Sequence, residues 1–255
     1  MLRALPILFL LPALAAQVVM PGAGGQRFVD FSQDLASPGT VVAIGALGKW
    51  KEGKRERLAD GQLGGGGQVA SVSGTQYFKV PITATLQPRA VLQGKADGVT
   101  VTFDMQVARL PDGKEKRQMQ SGAAFEEDTL ALLVFAKVKK GFELRHVIPV
   151  DRTIEKGSDA EPSFVDSMRD YYTINRRMCD LSQAIAELDA SKDDAGRQKT
   201  AVAALRDLLA KKPELKKPQN DGLLTQHVAP LEQRAEKRLA EIAKAEKSDK
   251  GDAGK

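Results

Sequence analysis

Few side chains in this 255-residue sequence are of types that carry chemistry, and fewer stand at a useful spacing. It holds two histidines, His146 and His227, and one cysteine, Cys179. A zinc centre draws its ligands from a compact set of Cys, His and carboxylate side chains, and two histidines from separate segments do not make one. No metal or other cofactor is therefore expected. A nucleophilic Cys179 would need a histidine base and an orienting third group. It stands beside Met178 in a helical pattern, which reads as a packing thiol. Carboxylates offer the one enzymatic alternative. Glu126, Glu127 and Asp128 precede an apolar strand, and Asp104 points from the wet face of another. Two carboxyls roughly 5–10 Å apart across a cleft, one with a raised pKa, would suit a hydrolase. Acids at strand starts are ordinarily solvated, so the catalytic set is read as empty. Tyr77, Phe78 and Lys79 are the nearest approach to an aromatic and basic platform for single-stranded nucleic acid. Gly64–Gly67 lacks the Lys-Ser/Thr and the helix of a phosphate-cradling loop, and reads as a plain connection.

The elements that must position these residues are organised around Asp128–Val150, two strands joined by the turn Lys139-Lys140-Gly141. In the first strand Leu130, Leu132, Val134, Ala136 and Val138 share one face, and Ala131, Leu133 and Phe135 the other. A strand apolar on both faces is covered on both. In the second, Phe142, Leu144, His146, Ile148 and Val150 alternate onto one face. Upstream, Thr40–Trp50 is a strand whose Gly45 and Gly48 suggest close backbone approach or a bulge that bends the strand. Residues 51–57 read as a charged turn or edge. Tyr77–Leu92 is extended, with Pro81 and Pro88 expected at strand ends, an edge or a bend. Val99–Val107 alternates cleanly, and Pro111-Asp112-Gly113 is a turn that sends Lys114–Met119 back as a hairpin. Consecutive strands without intervening helices predict an antiparallel barrel or sandwich.

The order GTVVAIGALGKW, ITATLQPRAVLQG, VTVTF and LALLVFAKVKKGFEL resembles the netrin/tissue-inhibitor type of OB-fold domain over about residues 40–150. Val91-Leu92-Gln93-Gly94 and Leu132-Leu133-Val134-Phe135 stand where that family's short motifs fall. The resemblance implies an OB-like barrel; an immunoglobulin-like sandwich is the alternative fold. The family's disulfides have no counterpart here, and neither does the N-terminal Cys with which its protease inhibitors ligate a target's metal, so that activity is not implied.

Past Asp151 the period changes to that of helices. Ser163 and Asp166 stand at capping-box spacing. Phe164, Tyr171, Met178 and Ile185 recur every seven residues, and Ile174, Leu181 and Leu188 add a second register. Ala190–Ala195 breaks this helix, Thr200–Lys212 resumes, and Pro213 and Pro218 bracket a second break. Asp221 then starts a third stretch with Leu224, Val228, Leu231, Ala235, Leu239 and Ile242, in which Pro230 predicts a kink or restart. The fold class is α+β: an N-terminal antiparallel β-barrel, then a helical hairpin or small bundle with coiled-coil character.

The organisation is completed by the termini. Arg3, the apolar run Ala4–Leu14 and the small residues Ala13–Ala16 follow the grammar of a secretory signal over residues 1–16. The expected divisions are a lead-in segment 17–38, a β domain 39–151, a linker 152–162, a helical region 163–246 and a disordered tail 247–255. A net charge of +5 with intermingled acids and bases is weak support for a nucleic-acid partner, and none is expected. No stretch after the signal predicts a membrane span. These features predict an exported, non-enzymatic binding or assembly module, periplasmic or extracellular. It would contact a protein partner or a second copy through the helical stripe Tyr171, Ile174, Met178, Leu181, Ile185 and Leu188.

Overall fold

A computed structural model describes residues 28–58, 74–119, 125–149 and 160–252. The signal-like run, Gly64–Gly67 and most of the linker lie outside them. Within them run α1 (Ser32–Leu35), β1 (Val41–Glu52), β2 (Glu56–Arg57), β3 (Gln76–Gln93), β4 (Thr100–Arg109), β5 (Glu115–Met119), β6 (Ala131–Val138) and β7 (Gly141–Pro149). The helices α2 (Ala160–Ala190), α3 (Ala195–Ala210), α4 (Asp221–Leu223) and α5 (Ala229–Asp252) follow. This is a mixed α+β chain, with a seven-stranded sheet of order β2-β3-β1-β6-β7-β4-β5 and a further pairing of β3 with β4.

The sheet is centred where its sequence is most apolar. Every residue from Ala131 to Phe135 is fully buried, and β1 pairs with them antiparallel from Val41↔Phe135 to Gly45↔Ala131. Val42, Ile44, Leu132, Val134 and Ile148 form one cluster with Phe31, Leu35 and, from α2, Phe164, Met168 and Tyr171. Burial on both faces is the reason β6 shows no polar alternation. Two expectations need correction. The residues of β7 do not all share one face: Val134 pairs with His146 but Phe135 with Leu144, so a bulge absorbs Arg145. It turns Leu144 to the side opposite His146 and Ile148, as an extra residue in a two-residue period must. Nor is the sheet wholly antiparallel. Val101↔Phe142 and Thr102↔Glu143 join β4 to β7 in parallel, since the intervening β5 and β6 carry the chain back before β7 begins.

Gly45 bears out the close approach that its type suggests. A methyl group placed on it would lie 2.4 Å from the Gln87 carbonyl oxygen and 3.0 Å from Pro88 Cα. Neither neighbour is a side chain that could swing aside. Gly45→Ala is expected to destabilise the fold by about 2–3 kcal/mol through backbone displacement, read as a lower denaturation midpoint. Pro81 and Pro88 both lie inside β3, not at its ends. Pro81 joins through the half of the peptide it keeps, its carbonyl accepting the Gly53 N–H at 2.8 Å.

The chain forms two compact units. Of the described residues, the first comprises 52–58, 74–81, 104–119 and 125. In it β4 and β5 form the expected hairpin, Met105↔Met119 to Arg109↔Glu115, around Gly113 at φ 83°. Its surface is laced by ion pairs: Arg55 with Glu52 and Glu115, Arg109 with Glu115, and Arg117 with Glu52. Of the described residues, the second unit comprises 28–51, 82–103, 126–149 and 160–252.

In this second unit the described end of the lead-in segment, residues 28–38, is part of the core, with Phe31 and Leu35 buried. Helix α2 begins at Ala160, three residues ahead of the expected Ser163 cap. Pro162 falls in its first turn, where a missing N–H costs no intrahelical bond. The break at residues 191–194 is real, and Asp194 caps α3 by accepting the Arg197 N–H at 3.0 Å. The restart at Pro230 takes the form of a π-helical turn, Leu224–Val228, directly ahead of α5. Helix α5 continues to Asp252, into the segment read as a disordered tail.

Candidate functional site

The stripe Tyr171, Ile174, Met178, Leu181, Ile185 and Leu188 is not an open surface, and the expectation that it would be one is corrected. All six are buried, none more than 7% exposed. Five of them share a cluster with Ala201 and Leu205 of α3, Val228 of the π-helical turn ahead of α5, Ala235 of α5, and the flanking Leu231 and Leu239. Tyr171 packs with Phe28 in the β-facing cluster, ring centroids 5.4 Å apart. A seven-residue recurrence states only that a helix needs a mate. Here α3 and α5 supply it within the chain.

The residues of chemical type are likewise held in structural contacts. His146 Nε2 lies 2.8 Å from Asp34 Oδ2, joining β7 to α1. The hydrogen bond and the charge of His146 hold the Asp34 carboxyl below its ordinary value. Its contribution to stability is therefore present above pH 3.8 and fades as the pH falls through the lowered folded pKa. Cys179 is buried, and burial pushes its thiol up, away from the thiolate a nucleophile needs. Glu127 accepts the Trp50 N–H at 2.9 Å, Asp104 pairs with Lys79 at 2.9 Å, and Asp128 lies 3.3 Å from Gln87 Nε2. Phe78 lies under the Arg109 guanidinium, 5.5 Å from ring centre to Cζ. Among the described residues no three His, Cys, Asp or Glu gather closely enough to hold a metal ion, and no helix is long and apolar enough to cross a membrane.

His227 stacks on Phe28, ring centroids 4.2 Å apart. Burial lowers its pKa from the ordinary 6.5, while Asp30 pulls the other way. With the folded pKa below the unfolded one, stability is full above pH 6.5. It declines below that, because the unfolded chain takes a proton that the folded chain refuses, and it levels off past the folded pKa. His227→Phe keeps the ring and is expected to flatten this decline. Urea midpoints measured across the acid range would show it, and a profile with unchanged slope would refute the assignment.

What the fold gathers without spending is a set of lysines. Because β4 and β7 run parallel and in register at Val101↔Phe142, the turns that precede them emerge at one end of the sheet. These are residues 94–99 and the two-residue link Lys139-Lys140, closed by the pair Val138↔Gly141. The turn leading into β1 meets them. A methyl group on Gly39 would sit 3.1 Å from Lys137 Cβ, and one on Gly94 would sit 2.9 Å from the Thr40 carbonyl oxygen. Gly94 has φ 77°, a conformation that glycine alone adopts freely. This end carries Lys95, Lys137, Lys139 and Lys140, all exposed and without an ion pair among the described residues. One acid, Asp97, accompanies them in the turns, while Glu143 is taken by Arg145 at 3.0 Å. Between the lysines stands Val138, 37% exposed.

Sequence reasoning saw Lys139 and Lys140 only as turn residues. The signal that unites them with Lys95 is the parallel pairing, which no local pattern announces. No family model, curated protein or solved structure matches this chain.

Proposed function

We propose that the protein is a non-enzymatic binding module of the cell envelope or extracellular space, and that it engages an anionic partner through the lysine turns. The signal-like run at residues 1–16 supports export. The pairings β3-β1-β6-β7-β4, with β4 returning to β3, support an OB-like barrel of the netrin type, since five strands closed in Greek-key fashion define that class. The observation that carries the binding reading is the gathering of Lys95, Lys137, Lys139 and Lys140, exposed and without an ion pair among the described residues, at one end of the sheet. Such a cluster raises the local potential and repels itself until an anion arrives.

Retention of the full chain on immobilised long-chain polyphosphate tests this reading. Lys137→Gln, Lys139→Gln and Lys140→Gln together should lower the salt needed for elution well below that of a matched control. The control, Lys199→Gln with Lys237→Gln and Lys244→Gln, removes the same charge from exposed helix positions. Equal elution of the two triple variants would mean that net charge alone is at work, and the assignment would fail.

A further inference from the structure

We infer that the anionic partner of the lysine turns is the surface of a lipid bilayer carrying acidic headgroups. This rests on the preceding reading and adds the class of ligand. Charge by itself would suit any polyanion. The discriminating residue is Val138, at the tip of the β6–β7 hairpin with Lys137 before it and Lys139 and Lys140 after it. Among the described residues the exposed large hydrophobics are Val138 and Val91, at 37% and 44%. Val91 stands near the end of β3, just ahead of the turn that carries Lys95. A soluble polyanion gains nothing from an apolar side chain held among cations. A bilayer surface does: valine enters the boundary between headgroups and acyl chains, while the lysine stems lie along it and lift their ammonium groups to the phosphates.

The cation type points the same way. Arginine forks phosphate in fixed bidentate geometry, whereas lysine is a point charge on a flexible stem. A planar array of mobile headgroups offers no fixed geometry to match, so lysines suffice. The hairpin presents them rigidly, because β6 behind the tip is fully buried from Ala131 to Phe135. Docking would order little that is not already ordered.

The test measures co-sedimentation of the full chain with vesicles of equimolar phosphatidylglycerol and phosphatidylcholine. Neutral phosphatidylcholine vesicles report whatever the apolar run Ala4–Leu14 contributes. Binding should exceed that baseline and fall back to it as salt rises. Each lysine near an acidic leaflet is worth about a five-fold factor in partitioning, so Lys139→Gln with Lys140→Gln should lower the excess by about 25-fold. Val138→Ser should lower it a few-fold while leaving elution from polyphosphate unchanged. All three positions are exposed, so thermal melts of the variants should match that of the parent chain. Equal binding to neutral and acidic vesicles, or no effect of Val138→Ser, overturns the inference. If polyphosphate retains the chain through these lysines and acidic vesicles do not, the partner is a soluble polyanion and only the lipid assignment falls. If neither binds through them, the proposed function falls as well.

Discussion

Asn175→Leu is expected to cost about 3–4 kcal/mol of unfolding free energy, because its amide is the clasp between the lead-in segment and α2. Asn175 is fully buried. Its Oδ1 accepts the Phe31 N–H at 2.7 Å, and its Nδ2 donates to the Val29 carbonyl at 3.2 Å and to the Tyr171 carbonyl at 3.0 Å. Leucine matches the size but orphans a donor and an acceptor on the lead-in segment, each worth roughly 1–3 kcal/mol when buried unpaired. The segment then has reason to peel away, taking Phe31 and Leu35 out of the core. Urea unfolding gives the energy, and amide exchange at Phe31 localises it. Asn175→Asp should also fail, since a second carboxylate oxygen would face two carbonyls. A midpoint within about 0.5 kcal/mol of the parent for Asn175→Leu would show that the clasp is dispensable.

The second large effect is expected at Asp170, which is 1% exposed on α2. Its carboxylate accepts the backbone N–H of Lys216 at 2.7 Å, that of Lys217 at 2.8 Å, and Asn220 Nδ2 at 2.9 Å. Three donors converge on two oxygens, which fixes the connection between α3 and the short turn at Pro218–Asn220. Asp170→Asn is nearly isosteric, yet it replaces one acceptor oxygen by an NH2 that points at another N–H. A loss of about 3 kcal/mol is expected, with exchange protection lost at the Lys216 and Lys217 amides. Asp170→Ala should cost a similar amount by leaving all three donors unpaired. If Asp170→Asn keeps full stability and full protection, the charge is not what holds this connection.

Arg177 completes a set of three buried polar groups on α2. It donates to the Leu208 carbonyl at 2.5 Å and to Glu232 at 2.7 Å, so it reaches both α3 and α5. Together Asp170, Asn175 and Arg177 fix what the apolar stripe leaves loose. Hydrophobic contact is non-directional and would tolerate several registers of the helices, whereas each of these groups is satisfied in one arrangement.

The sequence by itself determined the features that depend on period and local sterics. The double-sided burial of β6, the alternation along β4 as far as Met105, the turn at Pro111-Asp112-Gly113, the close approach at Gly45 and the two helix breaks were all legible, whereas the buried Gln106 was not. Each follows from which way neighbouring side chains must point or from what one residue type permits. The seven-residue stripe on α2 was legible as a need for partners, but not which partners. Only the tertiary structure decided the rest. The bulge at Arg145 reverses Leu144 because β6 imposes its register on β7. The parallel alignment of β4 and β7 brings the turn of Lys95 to the same end of the sheet as Lys139 and Lys140, although β5 and β6 intervene in sequence. The lead-in segment is core because Asn175, far along the chain, offers its backbone a partner. Period is written residue by residue, but pairing is chosen by the whole chain as it closes on itself, so which surface is left open appears only once every other face has found its mate.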